Sequence, residues 1–468
     1  MNSEEKLDVS RIEMLGQWER LLDVKIKDQL PKKVEMLELL LRDGIQHSPK
    51  YIDTYTKLWY ANEIVKAGYK KLEVTNFTHP VVLPQGQDAE EIMAQVCMLD
   101  SVKENKPLLK VYAMTVPAYE RVANMCQKGF CPDTAAFTIS AEDLHGRRNS
   151  GRTRDEYWQA IPEFVRIAKE NGFRVDCAIA SVYGSAMAGL VPIENTMEIM
   201  DRCLDLGIRD FTPCDSTGEC NPLRAHLYMA ALVDRYSKYD DEMTYRLAHF
   251  HEARGMSVVN TVMAILGGAR IVEASLGLGG GQPAFLLDGG PGHGSGPHYT
   301  NSWEVGNCGT EDTLVTLDEM GIDTGVDIDR MLQLGRVFEW TMGRTLLPFC
   351  TKAGRPIKQP VEWCNAEGNL AYIPPYGPPP VYWADPSRYK PASAEFIAEQ
   401  FKGRQFRWEP WEEKVKQADK LTKGKTAIYS HGGNVPGKTG FVYAPSEAPK
   451  RWFLLPKKIE EKAEKKKK

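Results

Sequence analysis

The sequence predicts an α/β protein: a (β/α)8 barrel of the TIM type, with an N-terminal helical segment and a C-terminal extension rich in proline and aromatic residues. Three observations predict it. A unit of short β-prone run, turn and amphipathic helix recurs eight times. The units are spaced at roughly 30–40 residues, which implies parallel strands joined by crossover helices. The first run leads into LRDGIQHS, which is not the glycine-rich turn of a doubly wound nucleotide fold, so closure into a barrel is favoured.

Polar, helix-forming residues 1–33 precede the first unit and end in Pro31-Lys32-Lys33. The expected strands are 35–41, 71–75, 108–114, 135–139, 174–180, 209–214, 245–250 and 271–276, each too compact to be a helix. Helical segments lie between them, for instance over 153–171. They close on glycine turns at AGY (67–69), NGF (171–173) and LGI (206–208). The alternation, and with it the catalytic barrel, spans 34–345. Residues 346–468 form the extension: an arm containing PIKQP and YIPPYGPPPVYW over 352–394, a charged helix over 394–420, a Gly/Lys loop over 421–448 and a Lys-rich tail.

Bulk properties narrow the class. The 468 residues are 42% hydrophobic and 26% charged, the balance of a globular protein with a real core. A net charge of −4 gives no electrostatic case for nucleic acid or an anionic membrane. No run approaches the ~20 apolar residues of a membrane span. The charged start MNSEEKLDVSRIEML has no apolar core of a secretory signal, so a cytoplasmic enzyme is expected. Ten scattered cysteines are read as reduced, mostly buried thiols; Cys126 and Cys131, the closest pair, lack the second half of a zinc site.

In such a barrel the chemistry gathers at the C-terminal ends of the strands. Strand 7 ends in His249-Phe250-His251. Side chains alternate along a strand, so the two histidines share a side and Phe250 faces the helix layer. With Asp43 across the barrel mouth they would chelate one divalent ion; alone, an H-x-H pair is more often two ordinary polar histidines. Arg42 offers a fixed positive fork for a developing enolate or carboxylate oxygen, or else a structural ion pair at the rim. Glu73 fits a partner that orients Arg42. Asp215, in DSTG at the end of strand 6, reads equally as a base or as a helix cap. The long Gly-rich stretch 277–309 is placed as a lid or binding loop, against the alternative of a floppy insertion. It carries His293, His298, Tyr299 and Cys308, all capable of proton transfer.

Several strings in this order resemble the family of hydroxymethylglutaryl-CoA lyase, a group of metal-dependent barrels that includes isopropylmalate and homocitrate synthases. LLRDGIQ (40–46) resembles its R-D-G-x-Q signature, and LEVTNFTHPVVLPQ (72–85) the lyases' second-strand segment. DSTG (215–218) is similar to D-T-x-G. HFHEARGMSVVNTVMAILGGARIVEASLGLGG (249–280) and GNCGTEDTLVTLDEMGIDTGVDI (306–328) resemble the lyase forms of the last two units. The resemblance covers roughly 34–345. It implies Asp43, His249, His251 and the amide oxygen of Asn307 as ligands of Mg2+ or Mn2+. It also implies Arg42 as enolate stabiliser, Glu73 as its orienter, and Asp215 as an aid to proton transfer or substrate placement.

Three departures stand out. The cysteine that follows G-L-G-G in the lyases is Gly281 here. Glu252 and Arg254 replace an aspartate and a tyrosine after the second histidine, and the loop before Gly306 is much longer. The expected reaction is retro-Claisen or retro-aldol cleavage of a branched 3-hydroxy acid or its CoA thioester through an enolate. A Claisen-type synthase condensing a 2-oxoacid with an acyl-CoA is the alternative, and a non-catalytic paralogue a third. With Gly281 in place of the thiol, a loop histidine is the favoured proton donor. The partners expected are a small-molecule hydroxy acid or acyl-CoA and further copies of the chain as a homo-oligomer, a homodimer in the simplest case.

Overall fold

The computed structural model describes residues 29–356 except 47, 49, 79–82, 186, 279–305 and 344. The short aliphatic runs form eight parallel strands: β1 (Glu35–Glu38), β2 (Lys71–Asn76), β3 (Leu108–Tyr112), β4 (Thr134–Ser140), β5 (Arg174–Ala180), β6 (Asp210–Asp215), β7 (Leu247–Phe250) and β8 (Ile271–Ala274). They close in sequence order, and β8 returns to β1 in register from Glu35↔Ile271 to Glu38↔Ala274. The predicted barrel is therefore the fold. The expected N-terminal helical segment up to residue 28, and the arm, charged helix, loop and tail from 357 onward, lie outside the described residues.

Crossover helices clothe the barrel: α1 (Thr54–Lys66), α2 (Ala89–Met98), α3 (Val116–Gln127), α4 (Ile161–Asn171), α5 (Ile193–Asp205), α6 (Pro222–Tyr236), α7 (Ser257–Leu266) and α8 (Thr310–Glu319). Local chemistry starts several of them. The Asp53, Thr115 and Asn221 side chains accept the backbone N–H of Thr56, Ala118 and Arg224 at the heads of α1, α3 and α6. Between strands and helices lies a continuous apolar layer, in which Tyr119 of α3 stacks on Phe164 of α4 with ring centroids 4.4 Å apart. Among the described residues no helix is long and apolar enough to cross a membrane.

Three expectations change in detail. The first strand stops at Glu38 and does not run to 41, because the Glu38 carboxylate accepts the N–H of Leu40 at 3.1 Å and of Leu276 at 2.8 Å. This bends the chain into one π-helical turn, Leu40–Gly44. The helix expected over 153–171 is two helices, Arg154–Trp158 and α4. Pro162 has no N–H to continue the first, yet suits the opening turn of the second. Not all cysteines are reduced. Beyond the end of α3, Phe130 N–H bonds back to Met125 at 3.0 Å, and Cys126 and Cys131 are joined as a disulfide.

Gly68, just after α1, adopts φ +102°, and an added Cβ would stand 2.5 Å from the Gly325 carbonyl. Gly68→Ala should therefore cost about 1–3 kcal/mol in backbone strain and displaced contacts. The measurement is the urea unfolding midpoint; an unchanged midpoint would mean that this turn relaxes freely.

Candidate active site

The π-helical turn after β1 places Arg42 and Asp43 at the barrel mouth. Gly44 follows because the backbone there runs against the Ser275 side chain at the end of β8, leaving no room for a Cβ. From β7, His249 and His251 project on one side, ring centroids 5.2 Å apart, while Phe250 is buried against the Tyr183 ring in the outer layer. Each imidazole Nε2 lies 4.0 Å from Asp43 Oδ2, too far for a hydrogen bond. The donor atoms of these three buried residues all fall within 4.8 Å of one another.

Asn307 joins them by a route that strand spacing does not foretell. The segment after residue 305 lies along the ends of β7 and β8: Cys308 N–H bonds to Phe250 at 2.8 Å, Ser275 N–H to Cys308 at 2.9 Å, and His251 bridges Asn307. The Asn307 side chain is buried and hydrogen-bonds Asp43.

The protonation states of Asp43 and His251 fit donor roles, whereas Glu273 outweighs burial and raises His249. Burial tends to raise Asp43, but Arg42 and then the two histidines hold its carboxyl at about 2. Burial pushes His251 down to about 3, keeping it neutral. An ionised carboxylate and neutral imidazole are the forms that bind metals. His249 gives Nδ1 to Glu273 Oε2 at 2.7 Å, which leaves Nε2 toward Asp43. These residues suit a divalent ion.

Arg42 is fixed on three sides. Nη1 meets Asp43 at 2.8 Å, Nε meets Glu73 at 3.2 Å, and the guanidinium carbon lies 3.8 Å above the Tyr112 ring. Beneath, in the barrel interior, Lys110 Nζ meets Asp176 at 2.6 Å and Glu273 at 3.1 Å. Burial raises Glu73 above the usual carboxylate range despite Arg42 and Lys110 nearby. Burial works on Glu273 too, but Lys110 and His249 keep it ionised.

These groups line one cavity of about 90 Å³, walled on one side by Ala136, Ala178 and Ala180. The structure thus brings together Arg42, Asp43, Glu73, His249 and His251, with Asn307 beside them. It separates two others from the cavity. Asp215 is fully buried and caps the following turn, accepting Glu219 N–H at 2.9 Å and Cys220 N–H at 3.1 Å, and burial raises its carboxyl to about 7. Cys308 is fully buried against Thr313 and Thr261 at 3.1 and 3.7 Å, its thiol pKa raised by burial. His293, His298, Tyr299 and Gly281 lie outside the described residues. Sequence reasoning missed Lys110, Tyr112, Glu273 and His145. A charge inside an otherwise apolar strand was the available signal for Lys110 and Glu273.

The HMGL-like family model matches residues 33–338. Hydroxymethylglutaryl-CoA lyase YngG of Bacillus subtilis is 27% identical over 316 residues, covering 68% of this chain and 95% of that one. (R)-Citramalyl-CoA lyase of Chloroflexus aurantiacus is 24% identical over 330 residues, covering 69% and 95%. An HMG-CoA lyase structure from Acinetobacter baumannii, in complex with coenzyme A and 3-methylmalate, superposes with a TM-score of 0.60. It is 22% identical and covers 72% of this chain and 99% of its own, a likeness of fold.

Lys110→Met should cost about 3–5 kcal/mol, because it strands Asp176 and Glu273 without their buried counter-charge. Chemical denaturation checks this. Adding Glu273→Gln to the same chain should recover part of the loss, and an additive double variant would rule out the coupling.

Proposed function

This chain belongs to the HMGL-like family, and on that premise we propose that it is a divalent-metal-dependent carbon–carbon lyase that cleaves the CoA thioester of a branched 3-hydroxy acid. The observation that carries the reading is the convergence of Asp43, His249 and His251 beside the fixed Arg42 fork in one cavity. Two relatives named for hydroxymethylglutaryl-CoA and citramalyl-CoA, both CoA-linked hydroxy acids, support the substrate class. The neighbour bound to coenzyme A and 3-methylmalate supports it as well.

Asp43, His249, His251 and Asn307 would hold the ion, and a set of two oxygens and two imidazole nitrogens suits Mg2+ or Mn2+ with positions left for substrate oxygens. Bound there, a divalent ion polarises substrate oxygens as a Lewis acid. Arg42, aimed by Asp43, Glu73 and the Tyr112 face, holds the negative oxygen that develops as the carbon–carbon bond breaks. Glu73 keeps the guanidinium from rotating away, and Glu273 keeps His249 in the tautomer whose Nε2 faces Asp43. Asp215 and Cys308 hold the ends of β6 and β7 in place and take no part in the bond changes.

The test is turnover of hydroxymethylglutaryl-CoA and citramalyl-CoA by metal-loaded protein. One divalent ion per chain is expected, and Asp43→Ala or His251→Ala should abolish most activity; full turnover after exhaustive chelation would end the reading. Arg42→Lys keeps the charge but loses the bidentate fork, so turnover should fall about 10²–10³-fold while metal affinity changes little. Equal losses in both would make Arg42 a structural residue.

A further inference from the structure

Nearly every ionisable group lining the cavity is already committed. Asp43, His249 and His251 form the donor set. Arg42, Glu73, Lys110 and Glu273 are bound in ion pairs. The Tyr112 hydroxyl is bonded to Thr138, and Cys214 Sγ faces the Thr212 carbonyl at 3.1 Å. His145 remains.

Its placement is built. Ala136 and Thr138 of β4 line the cavity, and Ser140, two residues further, ends the strand on the same side. The helix Asp143–Ser150 starts at once and carries His145 back over Ser140, with Nδ1 2.6 Å from Ser140 Oγ. Glu142 fixes the backbone beneath it, accepting the N–H of Leu144 at 2.6 Å and of His145 at 2.9 Å, and the Ser185 hydroxyl at 2.7 Å. The ring is 5% exposed and lines the cavity that holds the donor set. In the tautomer whose Nδ1–H donates to Ser140 Oγ, Nε2 keeps its lone pair for a bound molecule. Burial holds the imidazole down at about 4, hence neutral, while Glu142 nearby pulls in the opposite direction.

We propose that His145 is a catalytic residue of the lyase reaction, its Nε2 taking the substrate hydroxyl proton and returning that proton to the α-carbon of the departing enolate. The inference rests on the lyase reading above. As the hydroxyl loses its proton, its C–O becomes the carbonyl of one product, and the pair of the broken carbon–carbon bond passes to the α-carbon of the thioester. The imidazolium then delivers the same proton to that carbon and returns to neutral imidazole, so no further reagent is consumed. This gives the chain an acid–base group where Gly281 supplies no thiol.

The experiment uses full-length, Mg2+-loaded protein. It measures cleavage of hydroxymethylglutaryl-CoA and citramalyl-CoA, and exchange of acetyl-CoA α-protons with D2O, which isolates the carbon-protonation half. His145→Gln should lower kcat and exchange together by about 10²–10⁴-fold, with KM, metal content and unfolding midpoint little changed. Ser140→Ala, which leaves the imidazole in place but frees Nδ1, should lower both by about tenfold. The His293→Ala/His298→Ala double variant should keep exchange. Wild-type exchange in His145→Gln, or its loss only in the loop double variant, would overturn the role of His145. If His145→Gln does not fold, a folded Ser140→Ala with wild-type rates overturns it equally. A wild type that cleaves neither thioester removes the lyase reading itself, which is a separate outcome from an active enzyme indifferent to His145.

Discussion

The donor set depends on one ammonium buried where it would not be tolerated alone. Lys110 sits inside the barrel, held by Asp176 and Glu273, and Glu273 in turn holds His249 Nδ1. A lysine this deep stays charged only because the carboxylates around it outweigh the cost of leaving water. The arrangement follows from register: β7 and β8 align His249 with Glu273, so the two side chains emerge side by side into the interior. The orientation of a buried, cavity-facing imidazole is thus fixed from below, by charges deeper in the barrel.

A second set of contacts joins chain ends that are far apart in sequence. Glu38 of β1 accepts hydrogen bonds from Leu40, from Leu276 after β8, and from the Thr310 hydroxyl at 2.6 Å. One carboxylate thereby ties the turn that carries Arg42 and Asp43 to the segment that carries Asn307. Burial raises that carboxyl to about 7, which indicates how much desolvation these hydrogen bonds must offset.

The barrel was legible because eight aliphatic runs alternate with amphipathic segments, and strand boundaries followed to within about two residues for β2 to β8. The exceptions came from side-chain chemistry: Glu38 curtails β1, and Pro162 divides a helix whose periodicity looks continuous. At the site, Arg42, Asp43, His249 and His251 could be read because strand-end position and side-chain alternation dictate where they point. Asp215 could not be decided by spacing, since a cap and a base look alike until its backbone partners are seen. Lys110 and Glu273 show in the sequence only as charges inside apolar strands. Their importance comes from closure of the barrel, which brings side chains 163 positions apart together across its interior. His145 lies on a helix after β4, beyond the strand ends at which barrel geometry places chemistry.

The stretch 279–305 is bracketed by two firmly held anchors. On one side, Leu276 and Gly277 are gripped by Glu38 and by Glu311, which accepts Gly277 N–H at 2.9 and 3.0 Å. On the other, residues 306–310 are hydrogen-bonded along β7 and β8. The residues proposed to hold the ion therefore stand on backbone that is fixed at both ends of this stretch. Such a layout separates the proposed ion-binding residues from the stretch between the anchors. It offers a natural graft point, where segments of differing length could be exchanged between relatives to change what the barrel accepts without rebuilding how it works.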